Sequence, residues 1–376
     1  MTTIRDLETP RLLVDEGRML ANVERMRQHV RALGVTLRPH VKTAKCIEAA
    51  RPAMASASGP ITVSTLKEAE HFFAHGVTDI LYAVGITPNK LDHVVDLRRR
   101  GARLAILLDS LEAARLVAAR SRLAQDRLDT LIEIDCDGHR AGVEPGAPEL
   151  IEIARALVDG GASLAGVMTH AGGAYDCRST DAIRAMATQE RDAVVHAAGR
   201  LRTAGLPCPI VSVGSTPTAT FATDLAGVTE VRAGVFVFFD LVMAGIGVCR
   251  VEDIALSVLT SVIGHQREKG WILVDAGWMA MSRDRGTASQ PLDQGYGLVC
   301  DVSGTPIGDL VMIGANQEHG IVAARPGSTL ALPEPPVGTL LRILPNHACA
   351  TGAQFDRYHV LRGGEIAGTW PRISGW

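Results

Sequence analysis

The sequence predicts an α/β fold, in which a closed (β/α)8 barrel is followed by a second, mainly β domain. Eight short apolar runs lie between about residues 36 and 235, as expected of strands that are covered on both faces. They alternate with stretches of helical periodicity. After Asp240 the strand-like runs continue with little helical periodicity between them, which predicts the β domain. A doubly wound open sheet is the alternative for the first part.

The eight runs predict the barrel strands in order. They lie at residues 36–42, 61–65, 79–84, 103–109, 130–135, 164–170, 209–215 and 228–234. The segments 110–123 and 148–161 between them are apolar on one face, which is typical of helices packed on a sheet. Eight strand–helix units in roughly 200 residues favour the closed barrel over the open sheet.

The second domain is predicted from runs that are separated by Gly, Pro and Asp turns. These runs lie at 254–265, 270–278, 296–302, 309–315, 339–347 and 358–366. The short run at 11–19 precedes a predicted helix, and we expect it to add one strand to the β domain. The predicted division is an N-terminal segment at 1–20, a barrel at 21–240 and a β domain at 241–376. The Pro-rich stretch 324–338 predicts a surface loop.

Composition excludes several classes of protein. With 376 residues, 47% hydrophobic and 21% charged, the chain is long and apolar enough for folded domains and is not intrinsically disordered. Its 38 Lys and Arg against 41 Asp and Glu give no excess of positive charge, so we do not expect a nucleic-acid partner. No 18-residue apolar run occurs, charges begin at residue 5, and the seven cysteines are scattered. We therefore expect a cytoplasmic protein without a membrane partner.

The ends of the predicted barrel strands carry candidate reactive groups, because barrel active sites lie at the carboxyl ends of the strands. The first strand runs into RPHVKTAK, which contains Lys42. A lysine at this place is expected to be partly desolvated, and a lysine whose pKa is lowered in that way can form an imine. A solvated loop lysine is the alternative. The fifth and sixth strands lead to Arg140 and Tyr175.

The seventh and eighth strands end in small and hydroxyl residues. The seventh is followed by Gly214, Ser215 and Thr216, and the eighth ends at Gly234. In many barrels the loops at these two places bind phosphate, because glycine lets backbone N–H groups approach the anion and hydroxyls add donors. Ordinary turns use the same residues.

The predicted β domain contains two further motifs, NQEHG with Gln317 and His319, and PNHAC with His347 and Cys349. Residues i and i+2 of an extended segment point to the same face, so His347 and Cys349 could reach one ion. Imidazole and thiolate suit Zn²⁺ and tolerate other transition metals. Two protein ligands leave positions open for substrate. The alternative is a half-buried strand with an inert thiol.

Taken together, the motifs resemble one family. Thr9-Pro10 with LLVD, RPHVKTAK, GST, EVRAG, QEHG and PNHAC occur in the order found in the D-threonine aldolase and D-serine dehydratase family. Its members are fold-type III pyridoxal-phosphate enzymes with a barrel of the alanine-racemase type. The resemblance covers nearly the whole chain, and it implies a homodimer.

The resemblance also implies roles for individual residues. Lys42 would form the imine with pyridoxal 5'-phosphate, Arg140 would lie near the phenolic oxygen of the cofactor, and Tyr175 would lie near its ring. His347 and Cys349 would hold a divalent metal (Mn, Co or Zn). Gln317 and His319 would face the substrate or the metal. The phosphate would be cradled by Gly214, Ser215, Thr216 and Gly234.

Within this family the motif at the metal site predicts the reaction. The aldolases have HxD there, whereas this chain has the HxC of the dehydratases, at His347 and Cys349. We therefore expect a D-3-hydroxy amino acid dehydratase that converts D-threo-3-hydroxyaspartate to oxaloacetate and ammonia, and also D-serine to pyruvate. An aldolase that forms glycine and an aldehyde is the alternative, and a non-catalytic cofactor-binding protein is the third. Arg283 and Arg285 are candidates for binding a substrate β-carboxylate, or are solvated loop residues.

Overall fold

The structure, a computed structural model, describes residues 3–376 and divides into two compact units. One unit comprises the chain up to Val23 together with Val235–Ser374. The other comprises Glu24–Gly234 and the last two residues, Gly375–Trp376. No helix among the described residues is both long and apolar enough to cross a membrane.

The unit Glu24–Gly234 is a parallel barrel. Strand β1 (Arg11–Asp15) belongs to the other unit, and the barrel strands are β2 (Thr36–Pro39), β3 (Ile61–Val63), β4 (Asp79–Gly85), β5 (Arg103–Leu108), β6 (Asp129–Ile134), β7 (Ser163–Thr169), β8 (Ile210–Val213) and β9 (Glu230–Ala233). They pair in the order β2, β9, β8, β7, β6, β5, β4, β3. A parallel bridge between His40 and Thr62 joins the chain after β2 to β3 and closes the sheet. The closed barrel is therefore confirmed over the open sheet.

Helices follow the strands around the barrel. They are α1 (Glu16–Ala32), α2 (Ile47–Ala50), α3 (Leu66–Ala74), α4 (Pro88–Arg99), α5 (Leu111–Ala124), α6 (Glu149–Asp159), α7 (Thr180–Thr203) and α8 (Thr216–Phe221). The predicted helices at 110–123 and 148–161 correspond to α5 and α6. The side chains of Thr65, Ser110 and Ser179 cap α3, α5 and α7, because each accepts a hydrogen bond from a first-turn N–H that would otherwise have no partner.

A buried polar chain runs between the first, seventh and eighth barrel strands. Arg38 Nε donates to Glu230 Oε2 at 2.8 Å, and the hydroxyl of Ser212 donates to Glu230 Oε1 at 2.8 Å. Arg232 Nε donates in turn to Ser212 Oγ at 2.9 Å. All four side chains are buried. Because buried charges need such partners, the chain fixes the guanidinium of Arg232 at the carboxyl end of β9.

The other unit contains a nine-stranded sheet. Besides β1, its strands are β10 (Leu256–Gln266), β11 (Trp271–Val274), β12 (Gly297–Cys300), β13 (Pro306–Ala315), β14 (Gly320–Ala324), β15 (Leu340–Pro345), β16 (Arg357–Arg362) and β17 (Glu365–Pro371), and its short helices are α9 (Leu241–Gly245), α10 (Trp278–Met281) and α11 (Ala348–Gly352). The strand order is β11, β14, β13, β12, β15, β10, β1, β16, β17. No helix or strand occurs between Ala324 and Leu340, where a loop was expected.

Strand β1 lies inside this sheet and not at its edge. It pairs antiparallel with β10 and parallel with β16. The run at 11–19 thus adds one strand to the β domain, as predicted, whereas the sequence pattern was wrong at two places in this sheet. The run 358–366 is two strands, because Gly363 and Gly364 both have positive φ and form the turn between β16 and β17. The strand β14 was not predicted, because its five residues follow the polar motif NQEH directly.

Candidate active site

Lys42 lies on a tight turn just after the first barrel strand. Strand β2 ends at Pro39, and the turn is closed by a hydrogen bond from Lys45 N to Val41 O at 2.7 Å. Lys45 Nζ lies 3.1 Å from the buried Glu68 carboxylate, which holds the turn against α3. Lys42 itself is exposed, whereas its position at a strand end predicts partial desolvation. Its amine is therefore accessible to a ligand.

Two histidines lie near Lys42 in the field of Arg232. Burial, together with the charges of Lys42 and Arg232, lowers the pKa of His40 well below its usual value. For His170, burial and the same two cations lower the pKa to about 3, although a hydrogen bond to Gly214 opposes the shift. Both rings are therefore neutral near pH 7, and the positive charge comes from Lys42 and Arg232. The buried Nδ1 of His40 has no hydrogen-bond partner.

The two glycines of the predicted phosphate loops are required by close backbone packing. Gly214 has φ +148°, and a Cβ there would overlap the carbonyl of Arg232 on the neighbouring strand. A Cβ on Gly234 would come within 2.7 Å of the carbonyl oxygen of His40. The N–H of Gly214 already donates to the buried carboxylate of Glu190 at 3.1 Å. The missing Cβ of Gly214 therefore admits the neighbouring backbone, and its N–H is already bonded to Glu190.

Ser215 and Thr216 begin a helix directly after β8. Ser215 Oγ accepts a hydrogen bond from Thr218 N at 3.3 Å and so caps α8, of which Thr216 is the first residue. Both are buried. N–H groups at the start of a helix point along its axis and favour an anion. The cap orients these groups at the carboxyl end of the barrel.

Arg140 and Tyr175 follow neighbouring barrel strands, β6 and β7. Arg140 is exposed, and its Nη2 lies 3.2 Å from Glu133 Oε1. The ring of Tyr175 lies 6.3 Å from the ring of His170, between centroids. The positive charge of Arg140 also contributes to the lowered pKa of His170. The barrel thus brings Lys42, His170, Arg232 and Arg140 into one electropositive region.

His347 and Cys349 are brought together in the β unit, but not by an extended segment. Strand β15 ends at Pro345, and α11 starts at Ala348, so Cys349 is already helical. His347 is the residue before the helix and retains extended dihedral angles, with φ −136° and ψ 108°. The two side chains are hydrogen-bonded to each other. The geometry of a helix start, and not strand alternation, makes them neighbours.

The segment that carries the pair is fixed by carboxylate and amide groups. Asp284 Oδ2 lies 2.6 Å from Nδ1 of His347, and Asp240 Oδ2 accepts a hydrogen bond from Ala348 N at 2.9 Å. The buried Asn346 donates to the carbonyl of Gly295 at 2.6 Å. Every residue from Asn346 to Ala348 is thus held by a contact to another part of the unit.

The charge state of His347 is set by its partners. Burial lowers the pKa of His347, but hydrogen bonds to Asp284 and Cys349 raise it more, to about 11 overall. The hydrogen bond to His347 also lowers the pKa of Asp284. Because Nδ1 is directed at a carboxylate, Nε2 is the nitrogen left for a metal, which would displace the proton that the raised pKa keeps there. Among residues 3–376, no cluster of three or more His, Cys, Asp or Glu side chains has the geometry of a metal site, so the pair offers two ligands.

Gln317 and His319 lie on the exposed turn between β13 and β14. The turn is closed by Asn316 N, which donates to His319 O at 2.8 Å. Trp278 N donates to Asn316 O at 2.9 Å, which ties the turn to α10. The tip of the hairpin is therefore fixed in place, while the two side chains are free to contact a ligand.

Four residues of these regions make contacts that were not predicted from the sequence: Glu190, Arg232, Asp240 and Asp284. Only Asp240 had a usable local signal, since an aspartate directly before an apolar run is typical of a helix cap. Asp284 lies 63 residues from its partner His347 in the chain, and no local pattern predicts such a pair.

Two family models match consecutive parts of the chain. The model described as the N-terminal domain of alanine racemase matches residues 14–242, which is more than half of the chain. The model described as a putative serine dehydratase domain matches residues 255–361.

Three solved structures and one sequence relative extend this result. The chain is 55% identical to D-threo-3-hydroxyaspartate dehydratase of Delftia sp. (strain HT23), covering 100% of this chain and 99% of that protein. A structure of that enzyme matches with a TM-score of 0.97 over 100% of both chains. A variant with a cysteine changed to alanine, in the metal-free form, matches with a TM-score of 0.96, 55% identity and the same coverage. D-threonine aldolase from Filomicrobium marinum is 27% identical, with a TM-score of 0.82 over 98% of this chain and 96% of its own. The chain therefore belongs to the D-threonine aldolase and D-serine dehydratase family, with an alanine racemase N-terminal domain and a putative serine dehydratase domain.

Proposed function

We propose that this chain is a pyridoxal-phosphate- and divalent-metal-dependent dehydratase of D-3-hydroxy amino acids. Its main substrate would be D-threo-3-hydroxyaspartate, which gives oxaloacetate and ammonia. The observation that carries the proposal is the His347–Cys349 pair, in a chain 55% identical over its whole length to a dehydratase of this substrate. D-serine, which would give pyruvate, is a second candidate substrate.

The barrel residues fit pyridoxal 5'-phosphate. The cofactor carries a phosphate dianion and an aldehyde, so it needs a positive field and an accessible amine. Lys42 and Arg232 supply the positive charge, and the orphaned Nδ1 of His40 is a buried group that a ligand would satisfy. Ser215 caps the start of α8, and N–H groups at the start of a helix favour an anion. We propose that Ser215 and Thr216, with the backbone at Gly214 and Gly234, hold the phosphate.

The role of Lys42 follows from its accessible amine. When bound, pyridoxal phosphate supplies an electron sink for the charge that remains when Cα loses its proton. Lys42 would hold the cofactor through its amine and would accept the α-proton of the substrate at Nζ. Arg140 and Tyr175 would orient the ring. The neutral His40 and His170 add no positive charge that would compete with Lys42 for the anion.

The His347–Cys349 pair fits a divalent ion by the chemistry of its donors. Imidazole and thiolate are ligands for Zn²⁺ and Co²⁺, and Mn²⁺ is a harder alternative. Hydroxide is a poor leaving group, since water has a pKa of about 15.7, and a bound ion supplies a positive charge for the oxygen that leaves. The fixed segment Asn346–Ala348 would hold His347 for this purpose. Gln317 and His319, at the tip of the neighbouring hairpin, would contact the substrate.

The oligomeric state and the compartment are part of the same proposal. We propose a cytoplasmic homodimer. None of the seven cysteines forms a disulfide among the described residues, and burial raises the pKa of Cys208 to about 11 and of Cys136 and Cys300 to about 12. These three therefore remain thiols near pH 7, as suits a reducing compartment. Light scattering after size exclusion would measure the mass.

The experiment is a product assay on the protein loaded with pyridoxal phosphate and Mn²⁺, Co²⁺ or Zn²⁺ in turn. With D-threo-3-hydroxyaspartate we expect equal amounts of oxaloacetate and ammonia, no activity after EDTA, and recovery on return of the metal. The L-threo isomer is the control for stereochemistry. Glycine and glyoxylate without ammonia would instead establish the aldolase, and turnover that survives EDTA would contradict the metal.

The Lys42→Ala variant tests the cofactor assignment separately. It should lose the visible absorbance of the imine and retain less than about one part in a thousand of the turnover, because both the anchor and the base are removed. Lys67→Ala is the control, since Lys67 is an exposed lysine of α3 and the variant should retain the absorbance.

A further inference from the structure

The loop after α10 places two arginines on either side of Asp284. Arg285 is already occupied, because its Nη2 donates to Asp293 at 2.7 Å and its guanidinium lies 5.0 Å from the ring centroid of Tyr296. Arg285 therefore has an internal carboxylate partner and is a structural residue of the loop.

Arg283 is in a different situation. Its side chain is exposed, and no carboxylate lies within ion-pair distance of it in the part of the chain that the structure describes. Its guanidinium carbon lies 4.1 Å from the ring centroid of Trp278. A guanidinium stacked on a ring is held in orientation while its N–H edge remains available, and that edge matches a carboxylate in a bidentate manner.

The neighbours of Arg283 connect it to the proposed metal pair within the same unit. The next residue, Asp284, contacts His347 at 2.6 Å. The helix of Trp278, α10, contacts the helix of Cys349, α11, through a hydrogen bond from Thr351 Oγ1 to the carbonyl of Met281 at 2.7 Å. Arg283 is thus connected to His347 through Asp284, and to the helix of Cys349 through α10.

We propose that Arg283 binds the second carboxylate of the substrate and is the residue that selects D-3-hydroxy dicarboxylates over neutral D-3-hydroxy amino acids. This inference rests on the proposed function. In 3-hydroxyaspartate the second carboxylate and the departing hydroxyl are both substituents of Cβ. A group that binds this carboxylate must therefore lie beside the group that assists the hydroxyl, and Arg283 is one residue from the partner of His347.

Binding of two non-reacting amino acids tests this role without relying on turnover. D-aspartate has the second carboxylate and D-alanine lacks it, and neither carries a β-hydroxyl to eliminate. Visible absorbance of the loaded enzyme would be titrated with each. In R283Q we expect the Kd of D-aspartate to rise about 10- to 100-fold, the range for losing a charge-assisted bidentate bond, with the Kd of D-alanine changed by less than about threefold.

Two further variants sharpen the result. R283K keeps the positive charge but loses the planar guanidinium, which can bind a carboxylate through two N–H groups and stack on Trp278. Its Kd for D-aspartate should therefore fall between those of the parent and R283Q. R267Q is the matched control, since Arg267 is an exposed arginine of the same unit that pairs with Glu334, and both affinities should stay at the parent values. Circular dichroism and metal content would establish that each variant is folded.

The outcomes separate this inference from the proposed function. If the parent binds both amino acids and R283Q weakens both equally or neither, Arg283 does not select the carboxylate, whatever the reaction is. If the parent shows no absorbance change with either, the proposed cofactor is wrong. W278L gives a second check, because loss of the ring should weaken D-aspartate by less than R283Q does and leave D-alanine unchanged.

Discussion

The buried carboxylate of Glu190 accepts a hydrogen bond from the backbone N–H of Gly214 at 3.1 Å. The same oxygen accepts a second one from Ala171 N at 2.9 Å. Glu190 belongs to α7, so this helix is hydrogen-bonded to both of the segments that follow β7 and β8. The loop that begins with Gly214 is therefore fixed by a side chain that lies 24 residues earlier in the chain.

We expect Glu190→Ala to lower both stability and cofactor affinity. The substitution leaves two buried N–H groups without a partner, which costs about 2–4 kcal/mol, and it frees the loop that starts at Gly214. Urea unfolding would measure the free energy, and absorbance titration would measure the Kd of pyridoxal phosphate. Glu152→Ala, on the exposed side of α6, is the control. Parent-like values for E190A in both measurements would contradict the prediction.

Asp284 is expected to determine metal affinity through His347. Removing a carboxylate that orients a metal-binding histidine costs about 10- to 100-fold in affinity, so Asp284→Asn should bind Co²⁺ or Zn²⁺ more weakly by this amount. Competition with a chelator measures it directly, and the thiolate-to-Co²⁺ absorption reports whether Cys349 still binds. Asp356→Asn, an exposed carboxylate of the same unit, should behave like the parent. Equal affinity in D284N would show that His347 does not need this partner.

The identity of the second ligand should set the metal preference. Cys349→Asp replaces a soft thiolate by a hard carboxylate, which favours Mn²⁺ over Zn²⁺. We expect the ratio of Zn²⁺ to Mn²⁺ affinity to fall at least about tenfold, as measured by mass spectrometry of metals after dialysis against both ions. Cys249→Asp is the control, because Cys249 is a second half-buried thiol of the unit. A ratio that stays at the parent value in C349D would remove Cys349 from the site.

The lowered pKa of His170 predicts a pH dependence of stability. The folded state keeps the ring neutral down to about pH 3, whereas in the unfolded chain the ring takes up a proton near pH 6.5. As the pH falls below about 6.5, the unfolded state is therefore favoured by this proton, and stability declines. His170→Gln should make the decline in unfolding free energy between pH 7.5 and 5 shallower in the cofactor-free protein. His196→Gln, on the exposed side of α7, should leave the slope unchanged, and an equal slope in H170Q would refute the assignment.

Most of the barrel could be predicted because its strands are short, continuously apolar and separated by helices of clear period. The same reading of apolar runs as strands failed at two places among the short strands of the β domain. The run 358–366 reads as one strand if the pair Gly363–Gly364 is ignored, although two glycines in succession are a turn signal. The strand β14 has five residues after a polar motif, too few for its alternation to be recognised.

The candidate sites were predictable in residue type but not in geometry. His347 and Cys349 were identified from their spacing, yet they meet because a helix starts at Ala348, which the five letters PNHAC do not reveal. Gly214 stays a predicted phosphate-loop residue, and the packing of the adjacent strand also requires a glycine there. Glu190 occupies the buried face of a long helix, and its partners are set by the closure of the barrel.

The position of β1 determines when the second sheet can form during synthesis. This strand, near the beginning of the chain, pairs with β10 and with β16, and the whole barrel lies between β1 and β10 in the sequence. On a ribosome the barrel can therefore fold first. Strand β1 has no partner strand until β10 and β16 are synthesised, more than 200 residues later. A nascent chain that stops before Arg357 leaves one edge of β1 unpaired, so the sheet is completed only when nearly the whole protein has been made.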